Sequence, residues 1–298
     1  MKSIVSYPDR GDDGNNRYRG NCTGKIIEDY INQFGIKEIS DYMCGSGTTE
    51  DVAKRLGIIS HCYDLNRGFD LVNDDIKERN DYIFWHPPYG DMIKYAGEQY
   101  SAQDVITNYG FDPRERDLSR FSNWDEFVEM MNYCMMKQYA SLEKGGRIAV
   151  LMGDMKKKGK LYSMLVDIVK PGTLENIVIK AQHNCWSDKV NYSGKFIPIV
   201  HEYLMICRKD SPLIVPIRMT VKTESDIRNL KSPTWKDIVY EVMYGNGSMA
   251  LSDIYKCIDG HKRTQTNPHW KDKIRQTLQL YPQFFKCTDR GVWQICAA

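Results

Sequence analysis

Apolar and polar positions alternate along the first two thirds of the chain in a way that favours an α/β fold. Short apolar runs predict buried strands, and stretches with apolar residues three and four positions apart predict amphipathic helices between them. Strands that alternate with helices are typical of a mostly parallel sheet. The predicted strands cover residues 36–39, 60–63, 82–85, 147–152, 174–179 and 200–207, and the main helices cover residues 26–31, 50–56 and 124–142.

Three parts of this region lack a clear period. Residues 1–22 are rich in Gly, Asn, Asp and Arg and are expected to form a loop, with Thr23 or Asn21 as the cap of the first helix. Residues 69–72 have the pattern of a truncated third strand. Residues 90–122 form a long polar insertion, and long insertions in compact domains are usually functional or mobile.

The composition changes after residues 208–212, which predicts a second and smaller domain. We expect a first domain over residues 1–210, a linker over 211–232 and a second domain over 233–298. In the second domain, helical patterns precede a hairpin that turns at residues 289–291, and Asn267 with Pro268 gives the third helix a typical start. The predicted elements are helices over 234–243, 248–256 and 267–279 and a hairpin over 284–295.

Three helices followed by a hairpin resemble a winged-helix (α+β) domain. The resemblance implies that the third helix enters the major groove of DNA and that the hairpin turn forms the wing. Cations that neutralise phosphates and side chains that reach base edges would suit that role. The alternative is a solvated helix face on a domain that contacts protein. The residues expected to contact nucleic acid are Lys271, Lys273, Arg275, Gln276 and Arg290.

Composition and charge narrow the class of protein. With 298 residues, of which 42% are hydrophobic, the chain is long enough for one large and one small core. No run approaches the ~20 apolar residues of a membrane span, and the N-terminus lacks a signal-peptide pattern, so a cytoplasmic protein without a membrane partner is expected. Nine cysteines without a Cys-x-x-Cys pair predict reduced thiols and no metal site. A net charge of +2 is too small to imply nucleic acid by itself.

Residues 41–49, Asp-Tyr-Met-Cys-Gly-Ser-Gly-Thr-Thr, lie between a predicted strand and a predicted helix. Glycines at such a position allow a tight turn against a ligand, and the N-terminus of the following helix favours an anion. Asp64 ends the next strand, where a carboxylate is suited to accept hydrogen bonds from ribose hydroxyls. The segment therefore predicts a nucleotide-type site.

A second motif, His-Pro-Pro-Tyr at residues 86–89, follows the apolar run 82–85. A strand would deliver these residues to the carboxyl edge of the sheet, where ligands bind in open α/β folds. The motif combines a hydrogen-bonding side chain, two rigid prolines and an aromatic ring. It is a candidate for the chemistry of the site.

Together the two motifs resemble the cofactor and catalytic motifs of amino-group DNA methyltransferases, which methylate adenine N6 or cytosine N4 with S-adenosylmethionine. The resemblance covers residues 1 to about 208 and implies a Rossmann-like methyltransferase sheet with flanking helices. Residues 18–24 resemble the segment that folds over the methionine end of the cofactor in this family. The cofactor-binding residues that the resemblance implies are Gly20, Asn21, Cys22, Thr23, Asp41, Met43, Gly45, Ser46, Gly47, Thr48, Asp64, Leu65, Asp70 and Leu71.

Within this set the carboxylates have separate expected roles. Asp41 is expected to accept from the amino group of the cofactor, and Asp64 from its ribose. Asp70, in preference to Asp74 or Asp75, is expected to bind the adenine of the cofactor. The gap from Asp64 to Asp70 is shorter than the usual helix between the second and third strands, which is a departure from the family.

The catalytic residues that the resemblance implies are His86, Pro87, Pro88 and Tyr89. In the family, an Asp, Asn or Ser and a proline carbonyl accept hydrogen bonds from the target amino group, and the aromatic ring stacks on the flipped base. Histidine is a departure. Neutral imidazole has one acceptor nitrogen and imidazolium has none, so activity is expected to fall as His86 protonates between about pH 5.5 and 8. The alternative is a degenerate, inactive enzyme.

Double-stranded DNA is the expected partner, and a homodimer remains open. The loop 182–196, with Trp186, Lys189 and Tyr192, is expected to enter a groove or the vacated base stack. Adenine N6 is favoured over cytosine N4 because the chain resembles orphan methyltransferases of phages and mobile elements. Two rivals stay open: a DNA-binding regulator without turnover, and a methyltransferase that acts on RNA or on protein glutamine.

Overall fold

The computed structural model describes residues 1–183, 197–223 and 234–296, and the chain divides into two compact units, Met1–Thr220 and Val221–Ala298. The first unit has a hydrophobic core on each face of a large sheet, and the second has a core of its own. Among the described residues, no helix is long and apolar enough to cross a membrane.

The first unit contains a seven-stranded sheet and two smaller strand pairs. Its strands are β1 (Ile4–Ser6), β2 (Glu38–Asp41), β3 (Ile59–Cys62), β4 (Asn80–Trp85), β5 (Leu142–Met152), β6 (Asp154–Lys157), β7 (Lys160–Ser163), β8 (Lys170–Pro171), β9 (Thr173–Ala181), β10 (His201–Arg208) and β11 (Ile217–Arg218). Its helices are α1 (Gly24–Phe34), α2 (Thr48–Leu56), α3 (Ala102–Tyr109), α4 (Trp124–Ser141) and α5 (Met164–Asp167), with short 3-10 turns at Leu65–Arg67, Pro113–Glu115 and Leu118–Arg120.

The strands of the large sheet lie in the order β1-β9-β10-β5-β4-β2-β3. β10 runs antiparallel to both of its neighbours, and the other pairings in this sheet are parallel. The chain passes from β2 through α2 to β3 at one edge, and then returns to β4 on the other side of β2. This reversal of direction creates a crevice at the carboxyl ends of β2 and β4, where ligands bind in doubly wound sheets. The expected Rossmann-like α/β fold is confirmed.

Side chains that alternate along the central strands build a core on both faces of the sheet. Ile83 and Trp85 of β4 are buried on one face together with Phe127 of α4. Phe84, between them, is buried on the opposite face together with Ile26 of α1. Because both faces of β4 are covered, its sequence is a continuous apolar run and not an alternating one. That run made the strand recognisable in the sequence.

The second unit combines helices with a small antiparallel sheet, as expected. Its helix α6 begins with a reciprocal capping box between Thr234 and Asp237. The three strands lie in the order β12-β14-β13, and the core contains Ile254, Ile274 and Phe285. Its elements are α6 (Trp235–Met243), β12 (Ser248–Ala250), α7 (Leu251–Ile258), α8 (Lys262–Gln265), α9 (Trp270–Leu280), β13 (Phe285–Asp289) and β14 (Val292–Ile295).

Several segments differ from the local expectations, in two cases because they pair with a strand that is distant in the sequence. Within residues 1–22, Ile4–Ser6 is a strand that pairs with β9, and part of the expected linker, Ile217–Arg218, pairs with β8. Residues 69–72 form no strand, since Asp70 accepts a hydrogen bond from Val72 N in a turn. The insertion 90–122 contains helix α3 and two 3-10 turns.

Two helix starts in the second unit also differ from the expectation. Residues 248–250 form strand β12 before α7 begins, because they pair with β14. α9 begins at Trp270 with His269 at its N-cap, and Asn267 is not the cap. The Asn267 side chain instead accepts a hydrogen bond from His269 N at 2.9 Å, which stabilises the turn before the helix.

Candidate functional site

A cleft of about 850 Å³ of empty space, partly open to solvent, lies at the carboxyl ends of β2 and β4. Its walls come from the turn after β2, the end of β3, the N-terminal segment and the polar insertion. The lining residues that the sequence predicts are Gly20, Asn21, Cys22, Asp41, Met43, Gly45, Thr48, Asp64, Leu65, Asp70, Leu71, His86 and Pro88.

The turn between β2 and α2 has the backbone conformation that its glycines allow. Gly45 and Gly47 have φ values of 50° and 89°, in the left-handed region that side chains other than glycine disfavour. Gly47 is the N-cap of α2 and gives the helix no side-chain cap, so the first-turn N–H groups, including that of Thr48, stay available to an anion. Thr48 lines the cleft, whereas Ser46 and Gly47 are not in its lining.

Asp41, at the end of β2, is buried in the floor of the cleft. Its carboxyl group accepts hydrogen bonds from Thr49 Oγ1 at 2.5 Å and from Met43 N at 3.0 Å. Burial raises the pKa of Asp41 to about 7, against these two hydrogen bonds. The group is therefore poised to become ionised when a cation binds next to it.

Asp64 follows β3 and connects the end of that strand to the turn after β2. Its carboxyl oxygens accept from Gly45 N at 2.8 Å and from Asn66 N at 3.0 Å. Burial raises the pKa of Asp64 as well, against the hydrogen bonds from these two backbone amides. Each oxygen has a second lone pair, so a bound diol can still donate to it.

Asp70 lines the cleft, but its carboxyl group is already surrounded by donors of the protein. One oxygen accepts from Val72 N at 2.9 Å and from Asn73 N at 3.4 Å. The other accepts from Asn73 Nδ2 at 2.6 Å and from Arg116 Nη1 at 3.3 Å. These four contacts use its lone pairs, so Asp70 positions the wall of the cleft, and its binding to adenine stays a prediction.

The N-terminal segment contributes Tyr18, Gly20, Asn21 and Cys22 to the lining of the first cleft. Thr48 Oγ1 donates to Asn21 Oδ1, which joins this segment to the start of α2. Gly20 has a φ of 81° and lies so close to Tyr95 that an added Cβ would come within 2.5 Å of its hydroxyl. Thr23 caps α1 by accepting from Lys25 N at 3.3 Å.

The polar insertion supplies cleft residues that the sequence did not single out. Tyr95, Tyr100, Arg116, Asp117 and Leu118 all line the first cleft. Asp117 accepts from Tyr95 N and Ala96 N, which holds the insertion against the cleft. The insertion therefore closes part of the first cleft. Its density of tyrosines was the one available signal.

A second cleft opens on the other side of the His-Pro-Pro-Tyr motif. It contains about 1300 Å³ of empty space, again partly solvent, and Thr23, Pro87 and Tyr89 line it. His86 lines both clefts and therefore stands where they meet. Lys180 of β9 and Glu202 of β10 also line the second cleft.

His86 belongs to a chain of hydrogen bonds. Its Nε2 lies 2.9 Å from the Tyr89 hydroxyl, which donates to Glu202 Oε1 at 2.8 Å. Burial lowers the pKa of His86 to about 4, although Glu202 favours the charged form. The imidazole is therefore neutral throughout the range from pH 5.5 to 8. The expectation that His86 protonates in that range is wrong, because the sequence does not reveal which parts of the chain shield the partly buried ring from water.

The structure describes five of the eight residues that are expected to contact nucleic acid. Lys271, Lys273, Arg275 and Gln276 are exposed on α9, and Arg290 is exposed at the turn between β13 and β14. Trp186, Lys189 and Tyr192 lie outside the described residues.

Two of the residues that line the first cleft are cysteines. Cys22 and Cys44 are free, and burial raises the pKa of Cys22 to about 12. Within residues 1–183, 197–223 and 234–296, no group of three His, Cys, Asp or Glu side chains is placed to hold a metal ion.

No family model and no curated protein matches this chain. Among solved structures, it is similar to TrmN from Thermus thermophilus, with 16% identity, a TM-score of 0.34, and coverage of 64% of this chain and 50% of TrmN. It is also similar to a candidate DNA modification methylase from Thermus thermophilus complexed with S-adenosyl-L-methionine (12% identity, TM-score 0.28, 65% and 60% coverage). An rRNA methylase from Streptococcus thermophilus is similar at 10% identity and a TM-score of 0.28, with 62% and 96% coverage. This chain spans less than two thirds of the first two proteins, and the likenesses are too distant to establish its family.

Proposed function

We propose that this protein transfers a methyl group from S-adenosylmethionine to an exocyclic amino group of DNA, with adenine N6 as the target. The observation that carries the proposal is the position of His86, a neutral hydrogen-bond acceptor that lines both the first cleft and the second cleft. An enzyme that transfers a group needs such a junction, because the methyl donor and the atom that receives the methyl group must meet in line.

The first cleft has suitable partners for each part of S-adenosylmethionine. The unsatisfied N–H groups at the start of α2 suit the carboxylate, and Asp41 suits the ammonium group. Asp64 suits the ribose hydroxyls. Tyr95 and Tyr100 offer aromatic surface to the adenine and the sulfonium. The cofactor supplies the reactive methyl group when bound.

The second cleft suits a planar base with an amino group. Tyr89 offers a ring on which a flipped base can stack, and His86 offers an acceptor for one amino N–H. Accepting that hydrogen bond directs the nitrogen lone pair away from His86 and toward the methyl donor. Cytosine N4 would be methylated by the same chemistry.

A basic hairpin next to this cleft supports nucleic acid as the partner. β6 and β7 form it, and Lys157, Lys158 and Lys160 are exposed at its turn. Lys157 Nζ pairs with Asp91 Oδ2 at 2.6 Å, which places the hairpin beside the motif that ends at Tyr89. Lysines at such a place neutralise phosphates next to a flipped nucleotide.

The second unit supports DNA over RNA as the substrate. Its order of helices and strands resembles that of a winged-helix module, and we propose that α9 and the turn at Arg290 contact duplex DNA. We propose a first domain over residues 1–210 and a second over 233–298, joined by a linker over 211–232 whose strand Ile217–Arg218 pairs with β8 of the first unit.

Transfer of labelled methyl groups tests the proposal. Purified full-length protein is incubated with labelled S-adenosylmethionine and with unmethylated DNA, RNA or no nucleic acid. Label in DNA alone is expected, and it should be lost in His86→Ala and in Tyr89→Ala while cofactor binding is retained. Cofactor binding without transfer by the wild-type protein would instead favour a regulator that keeps the fold without the reaction.

A further inference from the structure

A buried ion pair lies directly behind the proposed catalytic motif. Lys180 of β9 and Glu202 of β10 face each other across two antiparallel strands, and Lys180 Nζ is 2.6 Å from Glu202 Oε2. Both residues are buried, with exposed fractions of 7% and 6%. The cost of removing two charges from water offsets most of the attraction in a buried ion pair. A contribution to the stability of the fold therefore does not explain why the pair is present.

The ion pair determines the direction of the hydrogen bonds in front of it. Lys180 and the hydrogen bonds to Glu202 hold the pKa of that carboxyl below its usual value, although burial acts to raise it. Burial and the charge of Glu202 raise the pKa of Tyr89, so the hydroxyl keeps its proton. A carboxylate accepts only, so the Tyr89 hydroxyl must donate to Glu202 Oε1 at 2.8 Å.

This direction leaves one role for the histidine. The Tyr89 oxygen, having donated its proton to Glu202, can only accept at its 2.9 Å contact with His86 Nε2. Nε2 therefore carries the proton of the neutral ring, and Nδ1 keeps its lone pair. Among the described residues no hydrogen-bond donor to Nδ1 is found.

We infer that Lys180, Glu202 and Tyr89 form a positioning relay that fixes His86 as the Nε2–H tautomer, so that Nδ1 is the acceptor for the target amino group. Lys180 and Glu202 are positioning residues, since they act through Tyr89 and touch no reacting atom. The ring of Tyr89 is held in place by close contact, because a Cβ at Gly153 would lie 2.7 Å from its Cε2. The role of Nδ1 in transfer rests on the proposed function, whereas the tautomer does not.

Glu202→Gln gives a sharp test because it should reverse the relay. Lys180 can only donate, so it holds the amide oxygen and turns the amide NH₂ toward Tyr89. The Tyr89 oxygen then accepts, its hydroxyl donates to His86 Nε2, and the proton of the ring moves to Nδ1. The acceptor is lost although every side chain keeps its shape. Tyr89→Phe keeps the ion pair and the ring but removes the link, so it should leave a mixture of tautomers.

The experiment combines nitrogen-15 NMR of the imidazole with steady-state kinetics at pH 7 on the full-length protein. His86→Asn assigns the His86 signal, and Glu175→Gln on β9, which pairs with Arg147 away from the clefts, is the matched control. We expect an Nε2–H pattern in the wild type and the control, an Nδ1–H pattern in Glu202→Gln, and both in Tyr89→Phe.

The kcat of each variant should depend on the fraction of His86 that carries its proton on Nε2. The kcat should fall about 100-fold or more in Glu202→Gln and about 2- to 10-fold in Tyr89→Phe, with the KM for S-adenosylmethionine unchanged. In Glu202→Gln with Lys180→Met, the amide can turn either way, and part of the kcat should return.

An Nδ1–H pattern in the wild type, or an unchanged pattern in both Glu202→Gln and Tyr89→Phe, would overturn the relay. Because NMR needs no turnover, the relay is judged separately from the reaction. The expected tautomers in a protein that transfers no methyl group would support the relay and count against the proposed function.

Discussion

Burial changes the protonation of individual side chains around both clefts. The pKa of Asp41 rises to about 7 and that of His86 falls to about 4, in each case mainly because burial disfavours the charged form. The neutral form of Asp41 therefore predominates just below pH 7, and the neutral form of His86 predominates at pH 7 itself. A cationic ligand can then ionise Asp41, whereas His86 stays an acceptor.

The affinity for S-adenosylmethionine should depend on pH through Asp41. Below pH 7 the free protein holds a proton on Asp41 that must leave when the ammonium group binds, so affinity should fall up to tenfold per pH unit between about pH 7 and 5. Calorimetric titration across that range measures the dependence. Asp41→Asn should bind more weakly at pH 7 and show little dependence. An equal slope in both proteins would remove Asp41 from this role.

The rate of methyl transfer should be insensitive to pH where a typical histidine titrates. Because the pKa of His86 is about 4, the neutral acceptor persists from pH 8 down to about 5, and kcat should fall only below that. Single-turnover rates with saturating cofactor check this, with circular dichroism to confirm that the fold survives. An inflection near pH 6.5 would show that the acceptor is not a buried His86.

Elements carry these residues to one edge of the sheet, and the sequence predicted the elements that place the motifs. β4 was recognisable because a strand buried on both faces is a continuous apolar run, and the start of α2 was recognisable because glycines mark the turn before it. The closure of the cleft by Tyr95 and Tyr100 was not recognisable. Its hydrogen bonds from Tyr95 N and Ala96 N to Asp117 join residues about 20 positions apart without a periodic pattern.

The same reasoning explains what could not be predicted about the site itself. The positions of Asp41 and His86 follow from their places after β2 and β4. Their pKa shifts do not, because burial depends on α1, β9 and β10 packing from distant parts of the chain. The relay behind Tyr89 pairs residues 22 positions apart across β9 and β10, so it appears only when the strands are assembled.

The hairpin of β6 and β7 should contribute to DNA affinity through charge alone. Lys158→Ala with Lys160→Ala should lower the affinity for any duplex and reduce the slope of log K against log salt by about 1 to 2, since each phosphate contact contributes about 0.9. Fluorescence anisotropy at several salt concentrations measures the slope. Lys37→Ala, an exposed lysine at the amino end of β2, is the control. An unchanged slope in the double variant would exclude the hairpin from the interface.

At the scale of the whole molecule, two units with separate cores divide the proposed work. The first unit holds both clefts, and the second presents exposed cations on α9 and at Arg290. On α9, Arg275 pairs with Asp272, and Lys273 with Gln276, so part of this charge is already engaged. Substitutions in the clefts should therefore lower the rate of methyl transfer, and substitutions on α9 should lower the affinity for duplex DNA.

Substitutions on α9 should weaken DNA binding without affecting the cofactor. Lys271→Ala with Lys273→Ala should raise the Kd for duplex DNA severalfold at physiological salt, while the Kd for S-adenosylmethionine stays constant. Parallel titrations with both ligands test this. Lys256→Ala on α7, an exposed lysine paired with Asp253, serves as the control. If the control weakened binding as much as the double variant, α9 would have no special role.

The most direct test of the central claim is mass spectrometry of the nucleosides of DNA from cells without other DNA methylation that express this protein. N6-methyladenine should appear with the wild-type protein and be absent with His86→Ala at equal expression. Detection of N4-methylcytosine would support the proposed mechanism but show that the target base is cytosine and not adenine. DNA without any methylated nucleoside, from cells that contain folded protein able to bind S-adenosylmethionine, would contradict the claim that this chain is a DNA methyltransferase.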